Sequence, residues 1–369
     1  MKLGFITMHR VVNFGSALQA YALQKALFKQ GIENEIIDYQ FPLFKKKLTL
    51  QIVILKLRKI VYNIRTGQFL QKKKEELFLD FYKKNLKMSK LKYDKNNILQ
   101  NPPVYDGYMT GSDQVWNPQW VKDDMSFFLN FAPENSFKIS YASSFTYDNI
   151  PAEYKALYSK YLQQYSRISV REESGIKIIK ELVHKDAFLV CDPTLLLSAD
   201  DYSVLVEQSK IKELGPYILV YILNYMYDPY PDVNNIISQV REYLSLPIIY
   251  IGGKFTRISN DCIAYENIGP CEFLWLFQHA SFVITSSFHG TAFASIYQKP
   301  LLAVVKSKDS KDERIKTLLK VLKNEKAIIA YNESLESKSD IKNNSCRTDI
   351  LEEYRSQSVS YLIDSMRDY

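Results

Sequence analysis

Short apolar runs of β type alternate along the chain with longer stretches whose apolar residues recur at helical spacing, the rhythm of a parallel α/β architecture. Lys2–Thr7 reads as a first strand. Beyond Gly15, the stretch Ser16–Gln30 brings Leu18, Ala22, Leu23, Ala26 and Leu27 onto one helix face; Gly31 ends it and Glu35–Tyr39 follows as a second strand. Strand rhythm resumes at Tyr105–Thr110, Lys138–Ala142, Arg167–Val170 and Ala187–Val190. Asp192-Pro193 and the polar stretch after Ser198 mark a boundary. The second half then repeats the alternation: strand Tyr217–Leu223, helix Val233–Leu244, strand Ile248–Ile251 and a helix from Pro270 through His279. Strand Phe282–Thr285, helix Thr291–Gln298, strand Leu301–Val305 and helix Asp312–Leu322 complete it, and Ile350–Met366 is a final amphipathic helix. The pattern predicts two doubly wound Rossmann-like domains facing a cleft, residues 1–198 and 199–349, with 350–369 a helix able to pack back on the first domain.

Charge adds one feature. The chain carries a formal +7, yet between Lys45 and Lys95 sixteen Lys or Arg face four acids (Glu75, Glu76, Asp80, Asp94). With helical stretches near Leu48–Ile64 and Phe69–Leu86, this reads as a basic helical insert, about 45–95, in the first domain. Its greasiest part, LTLQIVILKLRKIVYNI, is broken by Lys56, Arg58 and Lys59 and falls short of the ~20 apolar residues a spanning helix needs. It could lie on an anionic membrane surface or be a solvated face. No nucleic-acid module accompanies it, so no nucleic-acid partner is expected. Ordinary apolar content, 46%, excludes wholesale disorder and a small disulfide scaffold. Cys191, Cys262, Cys271 and Cys346 form no CxxC pair and read as free thiols of a reducing cytosol. His9, His184, His279 and His289 show no metal-ligand spacing, so no metal is expected. MKLGFITMHR reads as a strand, without the cleavage site of a signal peptide.

Candidate chemistry collects where strands end and helices begin, the place an open α/β sheet binds ligands. In Ser286-Ser287-Phe288-His289-Gly290-Thr291 the helix start favours an anion, the serines offer hydroxyl donors and Gly290 allows close approach. His289 on that turn could act as a general acid or base, or be held there for structure alone. Thr110–Pro118 (TGSDQVWNP) combines a carboxylate, two amides and an aromatic face suited to sugar hydroxyls: Ser112, Gln114 and Asn117 as contacts, Trp116 as a stacking surface and Asp113 as acceptor or base. The plainer alternative is a turn with Trp116 in the core. Asn13, Gly15, Ser16 and Gln19 form a third strand–loop–helix junction that could cradle a phosphate, although a lone Gly matches no nucleotide fingerprint. Arg171 and Asp192 each follow a strand, where an ion pair with Glu172 or Glu173 and a turn residue are the plainer readings.

Together, NFGSALQAYALQKAL, TGSDQVWNP, SVREESG, CDPTLLL and IGPCEFLWLFQHASFVITSSFHGTAFASIYQKP, in order from Asn13 to Pro300, resemble the polysaccharide pyruvyl transferase family. The resemblance implies a fold like that of the GT-B glycosyltransferases and a site in the interdomain cleft. It implies a metal-independent transfer of pyruvate from phosphoenolpyruvate to two hydroxyls of a sugar, with no cofactor beyond that co-substrate. It also implies that His289 belongs to the donor site, that Arg171 binds donor, and that Asp113 and Asp192 are acidic cleft positions. Ser286, Ser287, Gly290 and Thr291 would line the donor, and Asn13, Gly15, Ser16 and Gln19 the acceptor. One position departs: many relatives carry an arginine where this chain has Ser287, so Lys306, Lys308 or Arg314 would have to supply that charge. A lipid-linked acceptor would give the basic segment a purpose, holding a cytoplasmic enzyme at the inner face of the membrane. The alternatives are a nucleotide-sugar-dependent glycosyltransferase and a non-catalytic carbohydrate-binding subunit using Trp116 as its platform.

Overall fold

A computed structural model of the chain describes residues 2–41, 74–224, 227–252, 262–307, 313–341 and 344–367. The first half runs β1 (Lys2–Ile6), α1 (Phe14–Lys29), β2 (Glu33–Tyr39), α2 (Lys74–Asn85), β3 (Met88–Tyr93), β4 (Gly107–Thr110) and β5 (Phe137–Ser140). It continues through α3 (Ala152–Leu162), β6 (Ile168–Val170), α4 (Glu173–Val183) and β7 (Ala187–Leu189). Its sheet is parallel with order β3-β2-β1-β4-β5, and single bridges from Ile139 to Arg167 and from Ser143 to Val170 carry it on to the pair β6-β7. The second half runs β8 (Ile218–Tyr221), α5 (Val233–Leu244), β9 (Ile248–Ile251), β10 (Cys262–Tyr265), α6 (Pro270–His279), β11 (Phe282–Thr285) and α7 (Phe288–Ile296). After it come β12 (Leu301–Val305), α8 (Glu313–Val321), β13 (Ile328–Ala330) and α9 (Thr348–Arg367). Its sheet is also parallel, β10-β9-β8-β11-β12-β13. Both sheets therefore have the Rossmann order, with strand direction of travel reversing at β1/β4 and at β8/β11, the crevices where such sheets hold ligands.

One apolar cluster joins the two sheets. It runs from Leu3, Phe5 and the inner face of α1 to Tyr221, Phe273, Leu276 and Ala292. Phe14, at the start of α1, stacks on Phe273 of α6 with ring centroids 4.4 Å apart and meets Tyr221 edge-on. This packing explains why α1 is buried on nearly every side and shows little amphipathic bias. Separate clusters cover the outer faces, one around Trp116 and Phe127 and one around Ile236 and Ile284.

The expected insert needs correction. Lys74–Tyr93 is integral to the fold: α2 packs Phe78 and Phe81 into the shared core, and β3 adds a parallel edge strand to β2. The helical stretch expected at Leu48–Ile64 lies outside the described residues. Among those described, no helix is long and apolar enough to cross a membrane.

Candidate active site

Two helix starts and three strand ends converge between the sheets. Asn13 caps α1 by accepting from Ser16 N–H at 3.2 Å, and Ser287 caps α7 by accepting from Gly290 N–H at 3.3 Å. Helix α7 thus begins three residues earlier than its apolar spacing predicts, and His289 lies in its first turn instead of on the preceding loop. From there the imidazole reaches across to α1: a Cβ on Gly15 would be built into the His289 ring. Nε2 of His289 is buried without a hydrogen-bond partner, 3.7 Å from Asp192 Oδ2.

Asp192, after β7, is fully buried, and both of its oxygens are occupied. Oδ1 accepts from Thr194 N–H (3.0 Å) and Oγ (2.7 Å), while Oδ2 accepts from Arg171 Nη1 (2.6 Å) and Ser112 Oγ (3.2 Å). Burial works to raise its pKa, but the nearby His289 imidazole, the Arg171 charge and the Thr194 N–H outweigh it and hold the carboxyl far below the usual carboxylate range. Arg171, after β6, is equally buried, with its guanidinium 4.8 Å from the centre of the Phe288 ring. Its Nε and Nη2 have no hydrogen-bond partner, and Nη2 lies 3.9 Å from Asp113 Oδ1.

Asp113, after β4, sits at φ 80°, a region uncommon for a residue with a side chain. Its Oδ2 accepts from Ser16 Oγ at 2.5 Å and its Oδ1 from Gln114 N–H at 2.9 Å, so each oxygen has one partner against two for each oxygen of Asp192. Behind these groups, Gln19 Nε2 donates to Thr7 Oγ (2.9 Å), whose own proton goes to Ser112 O (2.8 Å), tying α1 to the ends of β1 and β4.

Other expected contacts fall to structural work. Trp116 has no exposed face: it packs among Phe128, Phe145 and Tyr165 and donates to Phe127 O, so it is core and cannot stack on a sugar. Gly290 opens no path for a ligand, because a Cβ there would meet Thr285 Oγ. Ser286 Oγ bridges to the Leu223 backbone, tying β11 to β8, and Thr291 Oγ donates within its helix to Ser287 O. Asn117 caps the short turn that follows it, and Gln114 Oε1 accepts from Asn117 and Trp120. Lys306 is exposed at the end of β12 and Arg314 is buried in the first turn of α8; Lys308 lies outside the described residues.

Sequence reasoning passes over one cluster altogether. At the ends of β1 and β2, the buried His9 ring lies between Thr7 O (3.0 Å) and Asp38 Oδ1 (3.3 Å), and Arg10 forks onto both Asp38 oxygens at 2.6 and 2.5 Å. Burial works against the Asp38 charge, but the bonds from His9 and Arg10 win and hold it at about 2. The cluster pins the loop that leads into Gly15. Its only trace in the sequence is a His-Arg pair soon after the first strand.

The sequence model of a family described as polysaccharide pyruvyl transferase matches residues 13–308. No curated protein matches the chain. Among solved structures, the UDP-GlcNAc 2-epimerase from Methanocaldococcus jannaschii superposes with a TM-score of 0.54 at 14% identity, covering 98% of this chain and 100% of that one. UDP-GlcNAc 2-epimerase from Neisseria meningitidis, bound to UDP-GlcNAc, gives 0.51 at 10% identity, with all of both chains covered. At these identities the likeness is one of fold alone, consistent with two Rossmann-like halves.

Proposed function

The chain belongs to the polysaccharide pyruvyl transferase family, and on that premise we propose that it moves pyruvate from phosphoenolpyruvate onto two hydroxyls of one sugar, in a surface polysaccharide or its lipid-linked precursor. The observation carrying this reading is His289, whose partnerless Nε2 stands among Arg171, Asp192 and Asp113 at the meeting of two helix starts. Phosphoenolpyruvate is a compact polyanion, and helix N-termini with a buried guanidinium suit it. Protonation of its methylene carbon by His289 makes the adjacent carbon electrophilic. A sugar hydroxyl adds to that carbon and gives up its proton to a carboxylate; phosphate leaves with that proton as hydrogen phosphate, and the second hydroxyl closes the ketal as its own proton returns to His289. Each turnover consumes one donor and one diol and yields one ketal and one phosphate. Carbon protonation itself activates the donor, so the reading calls for neither metal nor cofactor.

Of the two acids, Asp113 suits the base. Asp192 spends both oxygens on Arg171, Ser112 and Thr194 and serves as the anchor that orients Arg171 and His289. Ser16 and Asp113 would then face the acceptor, and Lys306 and Arg314 are the cations proposed to take the place of the arginine missing at Ser287. The lysines of α2 and β3, with the basic stretch before them, would hold the enzyme at the inner face of an anionic membrane. Flotation with phosphatidylglycerol vesicles checks that part: salt-sensitive binding supports it and its lack discards it.

The test of the chemistry is phosphate release from phosphoenolpyruvate in the presence of an acceptor polysaccharide. His289→Ala should fold and lose turnover by about 100-fold or more, the scale of general acid–base catalysis. Near-normal release would remove His289 from the reaction.

A further inference from the structure

The family match ends at residue 308, yet the C-terminal helix α9 reaches back to the turn that carries Asp192. Arg355, buried on α9, donates from Nε to Leu195 O at 2.7 Å and from Nη2 to Leu197 O at 3.0 Å, while Nη1 goes to Glu352. One helical turn on, Ser358 Oγ accepts from Cys191 N–H at 2.9 Å and passes its own proton to Tyr354 O at 2.8 Å. On the other side of the turn, Tyr141 OH donates to Cys191 O at 3.1 Å. The backbone on both sides of Asp192 is thus held by two side chains of one helix, more than 150 residues away in sequence.

Asp192 in turn holds the Arg171 guanidinium and stands beside His289. We propose that Arg355 and Ser358 are positioning residues of the active site: α9 is a brace that fixes the Asp192 carboxylate and, through it, Arg171. A planar fork reaching two carbonyls suits this task, since a rigid guanidinium fixes the directions of its donors and so the spacing of two backbone points, which a freely rotating ammonium does not. The bearing on turnover rests on the reaction proposed above; the bearing on Arg171 does not.

The experiment pairs a spectroscopic readout with kinetics on the full chain. Arg355→Met and Ser358→Ala are compared with Leu362→Val, a change at a fully buried position of the same helix with no bond to the Asp192 turn. The Arg171 Nε–H signal, assigned by NMR through its loss in Arg171→Lys, should move in both brace variants and stay in place in Leu362→Val. The kcat for phosphate release should fall on the order of 100-fold, the effect of a misplacement near 1 Å at a reacting group, with KM changed less than about threefold. Ser358→Thr, which keeps a hydroxyl, should restore the Arg171 signal. An Arg171 signal unmoved in folded Arg355→Met and Ser358→Ala, or moved equally in Leu362→Val, overturns the proposal. A signal that moves in a protein without pyruvyl transfer sustains the brace and discards the reaction.

Discussion

A methyl group at Gly15 would occupy the space of the His289 ring, so Gly15→Ala must push the imidazole away from Asp192. We expect a stability loss of about 1–3 kcal/mol, typical of overpacking, and a fall in phosphate release of about 100-fold; a folded variant with near-normal release contradicts the contact's role. Asp38 makes a second prediction, through pH. Its folded pKa, about 2, lies below the unfolded value near 4, so its contribution is present above pH 4 and is lost as pH falls toward 2. The shift corresponds to about 2 kcal/mol, and Asp38→Asn should flatten the acid limb of the stability curve between about pH 5 and 2. An unchanged limb on urea unfolding would show that His9 and Arg10 do not hold that charge. Which residues would carry charge and hydrogen bonds was legible at this scale, because Asp113, Arg171, Asp192 and His289 all follow strands or open helices. Which of them would be spent on structure was not. A Trp beside a carboxylate reads alike whether its face meets sugar or Phe128, and only the packing of the second layer decides.

At the scale of elements, the strands missed in the sequence are those at sheet edges. β3, MSKLKY, is largely exposed and carries two lysines, β10 buries one residue of four, and β13 has three residues. Edge strands need little apolar surface and use lysine to discourage further pairing, so they lack the buried run that marks β4, β8 or β11. Helix α7 was legible in body but not in start, since its first turn is set by the Ser287 cap and by Gly290 against Thr285. That cap makes a prediction. Ser287→Ala should cost about 1 kcal/mol in thermal unfolding while leaving phosphoenolpyruvate affinity within about threefold. A large affinity loss with stability unchanged would return Ser287 to the donor site.

Over the whole molecule, the two Rossmann-like sheets were legible because their central strands β1, β4, β8 and β11 are short, mostly apolar runs and helices such as α4 and α5 keep a regular apolar spacing. The continuous core between them was not, because it depends on long-range contacts such as Phe14 on Phe273. That core places Gly15 of one half against His289 of the other, and the proposed donor site exists only where the halves meet. A donor that fits it binds the native state alone and must raise stability by mass action, about 2.7 kcal/mol at a hundredfold excess over Kd. The most direct test is therefore thermal unfolding of the wild-type chain with phosphoenolpyruvate, set against a panel of nucleotides and nucleotide sugars. A rise in Tm with phosphoenolpyruvate that is absent in Arg171→Lys, and no rise with the nucleotides, is the predicted result. Stabilisation by a nucleotide sugar with no response to phosphoenolpyruvate would contradict the proposed donor.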